Sequence, residues 1–236
     1  MQLFYTPGIL PHHSHFVLSE EESKHAIRVL RLDNGSRVHL VDGRGGRYAA
    51  TIADAHPKRA VLAIEEVQIG YGKRPYYLHV AIAPTKNIER VEWFLEKATE
   101  VGIDEITPLV CEHSERKDVK TERLNNVMVA AMKQSLKAYL PKLNQIVKFS
   151  DFIAEEGSGQ RFIAHCAEGE KSYLSRCVSQ GGYYTILIGP EGDFSGAEIE
   201  AALSAGYMPV SLGDARLRTE TAALMACLEV AILNRQ

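Results

Sequence analysis

Two short stretches near the C-terminal end of this 236-residue chain combine backbone freedom with charge in a way that could hold a polar ligand. The first is Gly189-Pro190-Glu191-Gly192-Asp193-Phe194-Ser195, and the second is Leu212-Gly213-Asp214-Ala215-Arg216-Leu217-Arg218-Thr219-Glu220-Thr221-Ala222. In the first, the glycines let a ligand approach the main chain and Pro190 stiffens the loop. Ser195 with Glu198 reads as a capping box that opens a helix near Ala197. In the second, Thr219 and Glu220 suit the first turn of a helix, where a carboxylate complements the macrodipole. Arg216 and Arg218 gain nothing from that position. Two cations at the positive end of a helix carry a cost, which an anionic or electron-rich ligand would offset. A tight turn and exposed arginines are the plainer readings of the same residues.

Both stretches follow apolar runs that read as buried strands, Tyr184 to Ile188 and Pro209 to Leu212, and both precede helical patterns. Loops leaving the carboxyl ends of parallel strands line the crevice above an α/β sheet, so ligand chemistry is expected there. Upstream, Leu78 to Ala83, Ile106 to Val110 and Arg161 to Cys166 also read as strands. They alternate with helices predicted over 86–101, where Val91, Phe94, Leu95, Ala98 and Val101 share one face, and over 121–138. The last helix, 219–234, is apolar nearly all round and must be covered on both sides, by its own core alone or by the core and a partner subunit. Such alternation argues for a mainly parallel sheet.

The N-terminal part is patterned differently. Ser36 to Val41, Arg47 to Ala53 and Arg59 to Val67 read as short strands of a small antiparallel sheet or barrel, with Gly43-Arg44-Gly45-Gly46 as a hairpin turn. Ser19 and Glu22 make a capping box ahead of a helix carrying Ala26, Ile27, Val29 and Leu30. The Gly70-Tyr71-Gly72-Lys73-Arg74-Pro75 break divides the chain into domains 1–72 and 73–236. The net charge of −3 argues against a chain that coats nucleic acid over its whole surface. Within 24–59, however, Lys24, Arg28, Arg31, Arg37, Arg44, Arg47, Lys58 and Arg59 face only Asp33, Asp42 and Asp54. A compact basic surface of this kind attracts phosphate backbones, though composition alone fits a solvated face equally well.

Other patterns carry less. No P-loop or G-x-S-x-G pattern occurs. His12-His13-Ser14-His15 lacks a partner spaced to complete a metal site, so no metal is expected. His113 and His165 follow strands, and each suits acid/base work or a hydrogen-bonded loop. The four cysteines show no C-x-x-C spacing and read as reduced, mostly buried thiols. No apolar run reaches the roughly 20 residues of a membrane span, and the first residues lack a signal-peptide layout, so a cytoplasmic protein is expected.

Taken together, Gly189-Pro190-Glu191-Gly192 and Leu212-Gly213…Leu217-Arg218-Thr219-Glu220-Thr221-Ala222 resemble the RsmE family of 16S rRNA uridine-N3 methyltransferases, in the SPOUT class. His25-Ala26-Ile27-Arg28-Val29-Leu30-Arg31-Leu32, Glu96-Lys97-Ala98-Thr99-Glu100-Val101-Gly102 and Gln134-Ser135 extend the resemblance over most of the chain. Three departures stand out. The family usually has Gly where this chain has Asp193, Gly-Arg where it has Leu136-Lys137, and Arg-Ile-Leu-Arg where it has Ala215-Arg216-Leu217-Arg218, so the first arginine is displaced.

The resemblance implies an α/β fold with a C-terminal SPOUT-type trefoil-knot domain, built on a mainly parallel sheet, plus an N-terminal PUA-like β-barrel. It implies S-adenosylmethionine as cofactor, 16S rRNA of the small ribosomal subunit as partner, and a homodimer. The cofactor would be held by His165, Ile188, Gly189, Pro190, Glu191, Gly192, Ser211, Leu212, Gly213, Leu217 and Thr219. Lys24, Arg28, Arg31 and Arg44 would bind RNA. Arg218 and Glu220 are the expected catalytic pair, the cation for charge appearing on the uracil oxygens and the carboxylate as base or orienting group, with Glu191 as its rival. The competing readings are a non-catalytic RNA-binding or ribosome-assembly protein and a methyltransferase with a different RNA target.

Overall fold

The structure, a computed structural model, describes residues 2–155 and 157–235. It has two compact units, one of Met1–Lys73 with Met132–Leu140, the other of Arg74–Ala131 with Pro141–Gln236. Among the described residues no helix is long and apolar enough to cross a membrane.

In the first unit, β1 (Leu3–Tyr5), β2 (His15–Val17), β3 (Arg37–Val41), β4 (Arg47–Asp54) and β5 (Val61–Gln68) form one sheet in the order β1-β3-β4-β5-β2. The sheet is mixed rather than wholly antiparallel, because β1 runs parallel to β3. It curls as a half-barrel around Phe4, Val38, Leu40, Tyr48, Ile52 and Leu62, the inward residues of alternating strands. α1 (Glu20–Lys24) follows β2. Ser19 caps it by accepting from the Glu22 backbone N–H at 3.2 Å, but Glu22 does not close the box. Its carboxylate accepts instead from Lys133 Nζ at 2.7 Å. The helix then widens to a π-helical turn over His25–Val29, which periodicity did not anticipate.

The 132–140 segment is held against the β3–β4 turn. Gly45 donates to the Ala138 carbonyl at 2.9 Å, and Leu140 donates to the Gly43 carbonyl at 3.0 Å. A Cβ on Gly45 would lie 2.3 Å from the Tyr139 ring, so this turn needs glycine for contact as well as for its φ of +96°.

The second unit contains β6 (Tyr77–Ile82), α2 (Ile88–Val101), β7 (Glu105–Val110), α3 (Thr121–Gln134, whose last three residues belong to the first unit), β8 (Lys142–Leu143), β9 (Val147–Lys148) and α4 (Phe149–Ala154). It continues with β10 (Gln160–Ala164), β11 (Ser172–Tyr173), α5 (Leu174–Cys177), β12 (Tyr183–Ile188), α6 (Gly196–Ser204), β13 (Met208–Ser211) and α7 (Thr219–Leu233). The sheet order is β11-β13-β10-β12-β6-β7-β8, with β9 also on β7. Every described pairing in it is parallel. The fold is thus the α/β class expected, a parallel sheet after an N-terminal half-barrel. From β12 the chain passes through α6 to β13, beyond β10, and then doubles back so that α7 packs on α2, α5, β6 and β12. This return path is where the expected knot would lie.

Two helices and the cysteines correct the sequence reading. α3 ends at Gln134, not 138, because Leu136 turns into the left-handed region at φ +57° and Lys137 donates back to the Met132 carbonyl, a Schellman-type stop. α7 is covered less evenly than its composition suggests, since Ile232 is exposed. Only Cys111 and Cys227 are buried; Cys177 is half-buried and Cys166 is exposed in a loop.

Candidate active site

Three loops leave the carboxyl ends of neighbouring parallel strands, β10, β12 and β13, and enclose a cavity of about 810 Å³. Its wall includes His165, Ile188, Gly189, Pro190, Glu191, Ser211, Leu212, Gly213, Leu217, Arg218 and Thr219, all expected from the sequence. Gly192 is not on the wall: an added Cβ there would lie 3.0 Å from His113 Cβ, so its role is close packing. Cys166, Lys171, Asp193 and Asp214 line the cavity without having been named as ligand residues, and Arg216, singled out in the sequence as a cation in want of an anionic or electron-rich ligand, lines it too. The sequence signal of Asp193 and Asp214 was only that each follows a glycine.

The loop after β12 is firmly tied. Asp193 adopts φ +63°, and its carboxylate accepts from the backbone N–H of Cys166 at 2.7 Å and of Phe194 at 2.9 Å. His113 Nδ1 donates to the carbonyls of Gly192 and Asp193 at 3.1 and 3.0 Å, which makes His113 a loop brace. Glu191 accepts from the Lys86 backbone N–H at 3.0 Å. The capping box of α6 is complete, and Glu198 additionally accepts from the Glu112 N–H at 2.8 Å. In the loop after β10, Lys171 Nζ donates to the His165 carbonyl at 2.9 Å. His165 keeps a buried Nδ1 with no partner, and burial, reinforced by the Lys171 charge, lowers its pKa despite nearby Asp193.

The segment after β13 is built otherwise. Gly213 sits at φ +130°, where a side chain is strained, and Tyr173 donates to Asp214 at 2.6 Å. Arg216 and Arg218 are exposed, and among the described residues neither guanidinium has a hydrogen bond or an ion pair. Arg218 is the N-cap residue of α7 and supplies no side-chain cap. Arg216, Leu217 and Arg218 also line a second cavity, of about 600 Å³, on the side of Asn87, Arg90 and Trp93. Glu220 belongs to that second cavity and not to the first. Its side chain is 11% exposed, Oε1 lies 3.9 Å from Arg90 Nε, and Oε2 has no hydrogen-bond partner.

The arrangement offers one cavity at the ends of three strands, a neighbouring one lined by a carboxylate with one oxygen unpartnered, and, on the segment they share, two cations without a partner among the described residues. That suits transfer of a group from a bound donor to a second molecule. Residues 72–231 match the model of the RNA methyltransferase domain. The chain belongs to the RNA methyltransferase family. Residues 18–65 of this methyltransferase match the RNA methyltransferase PUA domain, in agreement with the half-barrel. A probable rRNA-methyltransferase from Porphyromonas gingivalis is 42% identical, with a TM-score of 0.91 over 99% of this chain and 98% of that one. A Legionella pneumophila chain assigned as a methyltransferase, solved in complex with the bound cofactor SAM, is 30% identical, with a TM-score of 0.83 over 98% and 96%. The ribosomal RNA small subunit methyltransferase E of Rickettsia conorii is 29% identical over 98% of this chain and 95% of its own length.

The basic residues of the first unit separate into two groups. Lys24, Arg28 and Arg31 are exposed just before, on and just after the π-helical turn, and among the described residues their side chains have no hydrogen bond or ion pair. Arg44 is engaged: it donates to the Pro7 carbonyl at 2.9 Å and the Ile9 carbonyl at 3.3 Å, and so fastens the N-terminal loop.

Proposed function

We propose that the chain transfers a methyl group from S-adenosylmethionine to N3 of a uridine in 16S rRNA of the small ribosomal subunit. The carrying observation is that Arg216 and Arg218, without a partner among the described residues, form a wall common to two cavities. The larger cavity fits the cofactor: its volume is within the roughly 300–1,000 Å³ of small-molecule sites. His165 Nδ1 there is a buried polar atom in need of a partner. Ile188, Gly189 and Pro190 with Leu212 and Gly213 would form the backbone cradle, while Glu191, Asp193 and Asp214 bring carboxylates for the cationic part of the ligand, beside Lys171, Arg216 and Arg218 for its carboxylate. The bound cofactor supplies an electrophilic methyl group on a positively charged sulfur. The protein must therefore remove the N3 proton and hold the negative charge that spreads to O2 and O4. Glu220 would take that proton, and Arg218 would donate to the oxygens.

Lys24, Arg28 and Arg31 would hold the RNA backbone by charge, with residues 1–72 acting as the RNA-binding domain and 73–236 as the transferase. A homodimer would cover the apolar surface of α7, and the enzyme would work in the cytoplasm, where small subunits are assembled. The test is calorimetric titration with S-adenosylmethionine, followed by reverse transcription of 16S rRNA from cells lacking and carrying the protein. N3-methylation blocks the pairing edge, so one added stop at a uridine is expected. No heat with the cofactor would instead indicate a non-catalytic RNA binder, and a stop elsewhere a different target.

A further inference from the structure

The cavity of about 600 Å³ beside the start of α2 has no role in holding the cofactor, yet it shares Arg216, Leu217 and Arg218 with the cavity that does. A methyl acceptor must come within about 3–3.5 Å of the donated carbon, so its cavity has to adjoin the donor's. We propose that this second cavity is the acceptor subsite and that it takes one unpaired uracil base, stacked on Trp93. The inference rests on the methyl-transfer reading above and adds to it the recognition of the base.

Three features of the lining argue for a base, and for uracil among bases. Trp93 is 43% exposed although it is large and apolar, and it stands one helical turn from Arg90 on the same face of α2. An aromatic ring presented in this way is a platform for an unstacked base. The base must be unpaired, because N3 sits on the pairing edge. Second, Glu220 is buried in the lining with one carboxylate oxygen unpartnered, which is an acceptor in need of a donor. Third, Arg90 and Arg218 line the same cavity and bring donors on either count. Uracil presents acceptor, donor, acceptor at O2, N3–H and O4, which matches arginine, carboxylate, arginine. Cytosine presents an acceptor at N3 and would face Glu220 with like polarity, leaving the buried Oε2 without a donor, which costs far more than a missing contact gains. The same contact that selects uracil places its N3–H on the carboxylate.

Trp93 is the chain's only tryptophan, so intrinsic fluorescence of the full-length protein reports on this cavity directly. Titration with single-stranded oligouridylate and oligocytidylate of equal length, at saturating S-adenosylmethionine, should quench Trp93 at least tenfold more tightly with uridylate. Glu220→Gln should reduce that preference below threefold. Trp93→Ala should raise the KM for RNA about tenfold with cofactor affinity unchanged by calorimetry, and Trp93→Phe should restore it. Equal quenching by the two oligonucleotides, or no quenching, overturns the subsite. So does Trp93 emission that follows protein concentration and ignores RNA, which would mean that a second copy of the chain covers it. If the wild-type protein transfers methyl to RNA while Trp93 stays silent, the subsite fails and the methyl-transfer reading stands. If neither cofactor binding nor transfer occurs, that reading fails first.

Discussion

The loop after β12 and the segment after β13 both begin near glycines at the ends of the two strands that flank β10, yet they are built by opposite rules. In the first, nearly every polar group is committed: Glu191 to Lys86, Asp193 to Cys166 and Phe194, and His113 to two carbonyls. In the second, both arginines, two of its four charged residues, are committed to nothing among the described residues. A preformed cradle limits what binding must order, and unspent cations leave strong interactions for the moment when charge develops. On the proposed function, the first loop would hold the ligand and the second would stabilise charge.

The strongest way to break this comparison is Arg218→Ala. If the arginine acts on developing charge, turnover should fall by at least ~100-fold while cofactor affinity by calorimetry changes less than about threefold. A smaller effect is expected for the frame that carries both loops. Burial pushes the Glu105 carboxyl up, but hydrogen bonds from Lys142, Tyr77 and Asn144 together overcome it and hold the group down at about 2, below its ordinary 4.5. A depressed carboxylate stabilises the fold above its unfolded pKa and ceases to as pH falls through the folded one. Between pH 4.5 and 2, about 2 kcal/mol of stability should therefore be lost, as read by urea melts, and Glu105→Gln should flatten that part of the profile.

Asp193→Gly sharpens the comparison from the other side. The backbone keeps its conformation, but the tie to the Cys166 N–H is gone, so cofactor affinity should fall about tenfold, ~1.4 kcal/mol. Asp193→Asn tolerates the same φ and keeps an acceptor, and should stay within about threefold of wild type. Leu136→Gly is the matched control, since Leu136 also sits at positive φ but is 42% exposed. Relief of its backbone strain should raise thermal stability by about 0.5–1 kcal/mol. The same change to glycine should thus loosen the site at one position and stabilise the fold at the other.

Much of this was legible in the sequence, for identifiable reasons. The parallel strands are apolar runs buried on both faces, and the α6 cap is written in Ser195 and Glu198, so the sheet and the exit points of its loops follow from pattern. The cavity residues follow from their position beside glycines at strand ends. Other features depend on contacts between distant residues and leave no periodic trace. β1 is three residues long and is defined by its pairing with β3. The π-helical turn has the same apolar spacing as an α-helix. The placement of Glu220 in the second cavity depends on where α2 packs against α7, and Trp93 reads in sequence as one more apolar residue of an amphipathic helix. Asp193 and Leu136 were visible only as departures from glycine. The positive φ of each now gives the physical reason for the glycine, and the hydrogen bonds of Asp193 show what this chain does in its place.

The most direct test is single-turnover methyl transfer to small-subunit RNA at saturating S-adenosylmethionine, with Arg218→Ala and Asp193→Gly side by side. The expected result is a rate loss of at least ~100-fold in Arg218→Ala and a near wild-type rate in Asp193→Gly, because saturation masks a defect in holding the cofactor. Comparable losses in both variants would contradict the division of labour between the two loops.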